Sequence, residues 1–178
     1  MNIPDFPLMD LQLRKVLINP GSFDLEREIV IDTDTKNEID DQFALTYALL
    51  SDSLNIGAIY AAQFFHKGGP VSEVGLEQSY QEIITILDIL TLKKQPPVLR
   101  GNRYPLDKSS LEGKGSPPVE KSEAVEDLIR RARATEDYLP VVSIGAATNI
   151  GAALLAAPDI SSKLLVIWLG GNEYNYAE

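Results

Sequence analysis

Five acidic side chains fall within ten positions of this sequence: Asp32, Asp34, Glu38, Asp40 and Asp41, inside the stretch EIVIDTDTKNEIDDQFAL from Glu28 to Leu45. Carboxylates crowded into one loop repel one another, and each is driven toward protonation or hydration. A bound cation removes that repulsion, and carboxylate oxygens suit hard ions such as Ca²⁺ or Mg²⁺. The chemistry open to these residues is therefore metal-assisted, with Asp34 and Asp41 as the first candidate ligands. A plainer reading stands beside it: acidic residues are common in turns, and Asp is a good N-cap for a following helix. One cap uses one Asp, whereas this loop carries four.

The elements on either side explain how such a loop would be held. Ile29-Val30-Ile31 is a β-branched run that suits a buried strand. Phe43, Leu45, Ala48 and Leu49 recur at the spacing of a helix. The acidic residues then sit at the C-terminal end of a strand, which is where α/β sheets place their ligands. Two familiar patterns are excluded by spacing. A helix-loop-helix calcium loop counted from Asp32 needs Asp or Asn at its fifth position and Gly at its sixth, where Lys36 and Asn37 stand. An aspartate phosphatase of the haloacid dehalogenase type carries D-x-D-x-[TV], and Lys36 breaks that as well.

Composition narrows the class. The chain has 178 residues, enough for one domain with a real core, and 44% apolar with 24% charged residues is ordinary for a globular protein. A net charge of −10 argues against nucleic-acid phosphate as a partner. Without cysteine there is neither a disulfide framework nor thiolate chemistry, which fits a cytoplasmic protein. MNIPDFPLMD lacks the features of a signal peptide, and no apolar run reaches the length of a membrane span.

Residues 1–27, with Pro4, Pro7 and Pro20-Gly21, read as a lead-in arm carrying a short helix around Leu8–Val16. Residues 28–178 read as one α/β core. Strands are expected near Ile29–Ile31, Ile56–Ala61, Val98–Leu99, Val141–Ile144 and Leu165–Trp168. Helices are expected through Leu50, over Val74–Leu92, over Val119–Thr135 and over Asn149–Ala156. The Ser-, Gly- and Lys-rich run Asp107–Pro118 reads as a surface loop or a lid. This β-α alternation predicts a doubly wound parallel sheet.

The acidic loop resembles that of the inosine–uridine-preferring nucleoside hydrolases, which open with a strand and D-x-D-x-x-x-D-D. A branch of hydrolase-like proteins carries D-T-D-x-x-N-E-I-D-D-Q-F-A, and Asp32–Ala44 matches it at every fixed position. Gly75–Ile83, GLEQSYQEI, is similar to the branch's G-M-E-x-S-Y-x-E-I. Gly145–Ile150, GAATNI, resembles the family's G-P-x-T-N-[IV]. The resemblance implies a Rossmann-like fold, incomplete at its C-terminus, since it covers the family's N-terminal half or slightly more.

It also implies a site. Asp34, Asp41 and the carbonyl of Thr148 would hold Ca²⁺, Asp34 would act as general base, and Asp40 would bind the ribose hydroxyls. The reaction implied for a full-length form is cleavage of a ribonucleoside's N-glycosidic bond, with these 178 residues alone expected to be weak or inactive; the alternative is an inactive fragment or pseudoenzyme that binds a metal or a ribose-like ligand. The loop has two more residues before its Asp pair than the commonest family form, which makes Asn37 and Glu38 candidate ligands too. Thr148 could cap its helix through its side chain while its carbonyl binds metal. His66, the only histidine, lies near the family's strand-end Asn, where the branch reads A-A-P-F-x-N against Ala61–His66 here; a solvated surface role is the competing reading. Asn172 and Glu178 match the ribose-clamp region too poorly to be assigned. An unpaired sheet edge is expected to favour self-association.

Overall fold

The computed structural model describes residues 5–17, 27–65, 71–106 and 119–171. The lead-in arm forms α1 (Leu11–Leu17), whose first turn is capped by Asp10: its Oδ1 accepts from the amides of Gln12 and Leu13 at 2.9 and 3.0 Å. The core then runs β1 (Glu28–Thr33), α2 (Asp40–Leu50), β2 (Asn55–Ala61), α3 (Ser72–Leu90) and β3 (Val98–Arg100). It continues through α4 (Glu123–Ala134), β4 (Leu139–Ser143), α5 (Thr148–Ala156), a 3₁₀ turn (Pro158–Lys163) and β5 (Leu164–Trp168). No helix of the described residues is long and apolar enough to cross a membrane.

All strand pairings are parallel, in the order β3-β2-β1-β4-β5. The chain winds outward from β1 in one direction to β3, then returns to β1's other side with β4. That reversal makes the crevice between β1 and β4 the topological switch point, where open α/β sheets bind ligands. The doubly wound parallel sheet expected from the alternation of elements is the observed one.

Successive strand residues face opposite layers, as the period of two requires. Val30, Ala58, Tyr60 and Val141 pack with α4 and α5 through Val125, Leu128, Ile150 and Ala153. Ile31, Ile59 and Ala61 pack on the other face against Leu45 of α2 and Leu76, Ile83 and Leu87 of α3. Among the helices, α3 buries Leu76, Ile83, Ile86 and Leu87 on one face. In α2, Leu45 and Ala48 are buried as read, but Phe43 is 70% exposed. The reason is the angular position of Asp41: turning that carboxylate inward places Phe43 two residues later on the outer side of the helix.

A charged knot fastens α4 to its face of the sheet. Asp127 of α4 accepts from the Tyr60 hydroxyl at 2.8 Å and from Arg131 Nε at 2.6 Å, and it also pairs with Arg130. Arg131 reaches on to Glu28 and to the carbonyl of Gly57. These bonds lock α4 onto β1 and β2.

Candidate functional site

Past the end of β1, the chain turns sharply, with the amide of Asn37 donating to the carbonyl of Asp34 at 2.8 Å. The turn keeps Asp34 at the sheet edge, 9% exposed, and α2 begins early enough to bring Asp41 back beside it, 6% exposed. Neither Asp caps α2. Its N-cap is Ile39, with no side-chain capping bond, so the capping reading of this acidic loop does not hold. Asp40 occupies the first turn of α2 and is exposed, as are Asn37 and Glu38.

Asp34 and Asp41 share a hydrogen bond, and burial raises the pKa of both above the usual carboxylate range. For Asp41, raised to about 7, burial outweighs the opposing bond from Thr33, and the charge of Asp34 adds to the rise. The Thr33 hydroxyl donates to Asp41 Oδ2 at 2.5 Å. With its proton committed there, Thr33 accepts from the Thr35 hydroxyl at 2.9 Å. Asn37 Nδ2 donates to Asp34 Oδ2 at 3.1 Å, so this carboxamide buttresses the carboxylate through its nitrogen.

On the other side of the switch point, the loop after β4 backs Asp34 at very close range. A Cβ on Gly145 would stand 2.8 Å from Asp34 Oδ1, so only glycine fits without displacing the carboxylate. Trp168 Nε1 donates to the Gly145 carbonyl at 3.0 Å and ties that loop to β5. Thr148 follows as the first residue of α5 and is buried. It does not cap the helix as its type suggested: the N-cap position belongs to Ala147, and the Thr148 hydroxyl instead accepts from Gln63 Nε2 at 3.1 Å.

Behind these groups lies a polar chain that sequence reasoning missed. Asp32 is fully buried, and burial raises its pKa to about 7 against the opposing bonds from Asn149 and Ser143. Asn149 Nδ2 donates to Asp32 Oδ2 at 2.8 Å, and Asn149 Oδ1 accepts from the Asn102 amide at 2.8 Å. Ser122, the N-cap of α4, donates to Asn102 Oδ1 at 2.8 Å. Four elements are thereby tied together beneath the site. The signal in sequence is the T-N pair at Thr148-Asn149, whose second residue reaches Asp32.

The structure thus brings Asp34 and Asp41 together, with Thr148 at the start of α5 and Asp40 exposed in the first turn of α2. His66, Asn172, Glu178 and the run Asp107–Pro118 lie outside the described residues. Among the described residues no group of three or more His, Cys, Asp or Glu side chains gathers as a metal cage. A set of two carboxylates and one backbone carbonyl is nonetheless all hard oxygen, the chemistry that Ca²⁺ prefers.

Several solved structures share this fold. The purine-preferring ribonucleoside hydrolase from Gardnerella vaginalis is 23% identical, with a TM-score of 0.59 over 82% of this chain and 49% of its own. The inosine-uridine preferring nucleoside hydrolase from Bacillus anthracis is 20% identical, with a TM-score of 0.58 over 85% of this chain and 54% of its own. The type III effector XopQ, solved with adenosine diphosphate ribose, is 20% identical, with a TM-score of 0.60 over 91% of this chain and 47% of its own. This chain spans about half the length of these structures. No curated protein matches it. The family described as inosine-uridine preferring nucleoside hydrolase matches residues 29–177, well over half of the chain. The chain belongs to the inosine-uridine preferring nucleoside hydrolase family.

Proposed function

We propose that this chain carries the metal- and ribose-binding half of a nucleoside N-ribohydrolase. The observation that carries the reading is the buried Asp34–Asp41 pair at the β1–β4 switch point, within a chain of this family. Two carboxyl groups that share a hydrogen bond and whose ionisation burial opposes are poised to give up their protons to a cation. Asp34, Asp41 and the Thr148 carbonyl are the groups that would hold Ca²⁺. When bound, the ion would supply Lewis acidity, lowering the pKa of a water and fixing the ribose 2′- and 3′-hydroxyls.

The remaining steps belong to the chain's own residues. Asp34, made more basic by burial, takes the proton of the attacking water, a role favoured by a pKa nearer neutrality. Asn37 holds the Asp34 carboxylate from one side and Gly145 backs it from the other, which fixes the direction of proton transfer. Asp40, on the exposed rim, accepts hydrogen bonds from the ribose hydroxyls. The water oxygen bonds to C1′ as the C1′–N bond breaks. The base leaves with the electron pair and takes up a proton, while nearby carboxylate charge stabilises the oxocarbenium-like state.

The test is release of free ribose from inosine and uridine with Ca²⁺ present. Turnover that Asp34→Ala abolishes supports the hydrolase. Calcium or ribose binding without turnover supports the alternative, a ligand-binding member of the family. Absence of both overturns the reading.

A further inference from the structure

Gln63 is the feature of this edge that the reading above leaves unused. It follows β2 and is 96% buried by its 4% exposure. The amide of Ala62 donates to the Thr33 carbonyl at 2.8 Å, so the chain runs past the strand end alongside the loop that carries Asp34 and Thr35. The Gln63 carboxamide nitrogen donates to the Thr148 hydroxyl at 3.1 Å. Its oxygen is enclosed and meets no hydrogen-bond partner among the described residues. Turning the amide over only moves the deficit, since the oxygen would then accept from Thr148 and the nitrogen would be left bare.

An enclosed amide oxygen without a partner costs about 1–3 kcal/mol, and such an atom calls for an explanation. A glutamine at this point serves no evident packing need that an apolar side chain would not serve better. Its position does supply a reason. Gln63 touches Thr148, the loop before Thr148 packs on Asp34, and Asp34 bonds to Asp41. Calcium takes six to eight oxygens, Gln carbonyls among them. A neutral oxygen here adds to the donor number without adding charge to a loop that already crowds its carboxylates. The branch motif that this segment resembles has proline where Gln63 stands, and proline offers no side-chain oxygen.

We propose that Gln63 is a further ligand of this site, its carboxamide oxygen bonding the cation held by Asp34 and Asp41 while its nitrogen stays on Thr148. The proposal rests on the reading of that pair as a cation site. The experiment is calorimetric titration with Ca²⁺ of the wild type, Gln63→Met, Gln63→Glu and Asp41→Ala, with thermal unfolding of each in chelator. Gln63→Met keeps length and bulk but removes the amide, and is expected to weaken Ca²⁺ binding at least fivefold while its unfolding temperature without metal stays level or rises. Gln63→Glu places a carboxylate oxygen at the same reach and is expected to bind Ca²⁺ more tightly than wild type, which a merely structural glutamine would not predict. Wild-type affinity in both Gln63 variants, with binding lost in Asp41→Ala, overturns the role of Gln63 and leaves the cation site standing. Should Gln63→Met not fold, unchanged or weakened binding by Gln63→Glu overturns it alone. No Ca²⁺ uptake by the wild type overturns both.

Discussion

Gly145 lies so close to Asp34 that a Cβ there would meet Asp34 Oδ1 at 2.8 Å and Asp34 Cγ at 2.9 Å. Its φ is not among the positive ones, so the backbone torsion admits alanine, and what excludes a Cβ is Asp34, through its carboxylate and through its backbone nitrogen at 2.9 Å. Gly145→Ala should therefore leave the fold in place and move Asp34. The expected outcome is a loss of Ca²⁺ affinity of about tenfold or more, with an unchanged far-ultraviolet circular dichroism spectrum. Unchanged affinity would show that Asp34 can relax without cost to the site.

The pH dependence follows from Asp32, whose pKa burial raises from 3.8 to about 7. A carboxyl that binds its proton more tightly folded than unfolded stabilises the fold fully below its unfolded pKa. That contribution is lost as pH rises from about 4 through about 7. Asp32→Asn is neutral throughout and should lose less stability than wild type between pH 5 and pH 8 in metal-free buffer. Urea titrations of both proteins at the two pH values check this; parallel losses would show that Asp32 does not titrate in that range.

Much of this arrangement was legible because it is local. The strand β1, the acidic turn and the start of α2 are consecutive, so period and spacing alone bring Asp34 and Asp41 to one end of a sheet. Asn37, expected as a candidate ligand from the loop's extra length, donates its side-chain nitrogen to Asp34. The polar layer beneath was not legible, because its bonds join residues far apart in the chain: Asn149 to Asp32, Asn102 to Asn149, Gln63 to Thr148. No local pattern marks such pairs. Phe43 misled for a related reason: an apolar residue at helical spacing reads as core, but a buried carboxylate on the same helix had already fixed which face turned inward.

The knot around Asp127 yields a stability prediction independent of the site. Asp127→Ala strands the Arg131 guanidinium and the Tyr60 hydroxyl, both largely shielded from water, and should cost about 3 kcal/mol. Tyr60→Phe removes only one of several partners of Asp127 and should cost about 1 kcal/mol. Chemical denaturation separates the two. A comparable loss in both variants would mean that the tyrosine, not the arginine, anchors α4.

The last prediction concerns β5. Val166, Ile167 and Trp168 are 40%, 47% and 53% exposed, and Leu169 beyond them is 69% exposed. Among the described residues β5 pairs only with β4, so its outer edge offers unpaired backbone groups beside apolar side chains. Such an edge is a template for strand pairing with another chain. The 178-residue chain is therefore expected to self-associate as concentration rises. Lysine on an edge strand opposes pairing by charge and desolvation, so Ile167→Lys should shift the population toward monomer. Trp168 is a poorer choice for the test, because its indole also holds the Gly145 loop behind Asp34. Sedimentation velocity over a tenfold concentration range provides the measurement. A wild type that stays monomeric throughout, or an Ile167→Lys variant that associates as strongly as wild type, would show that β5 is not the surface through which copies meet.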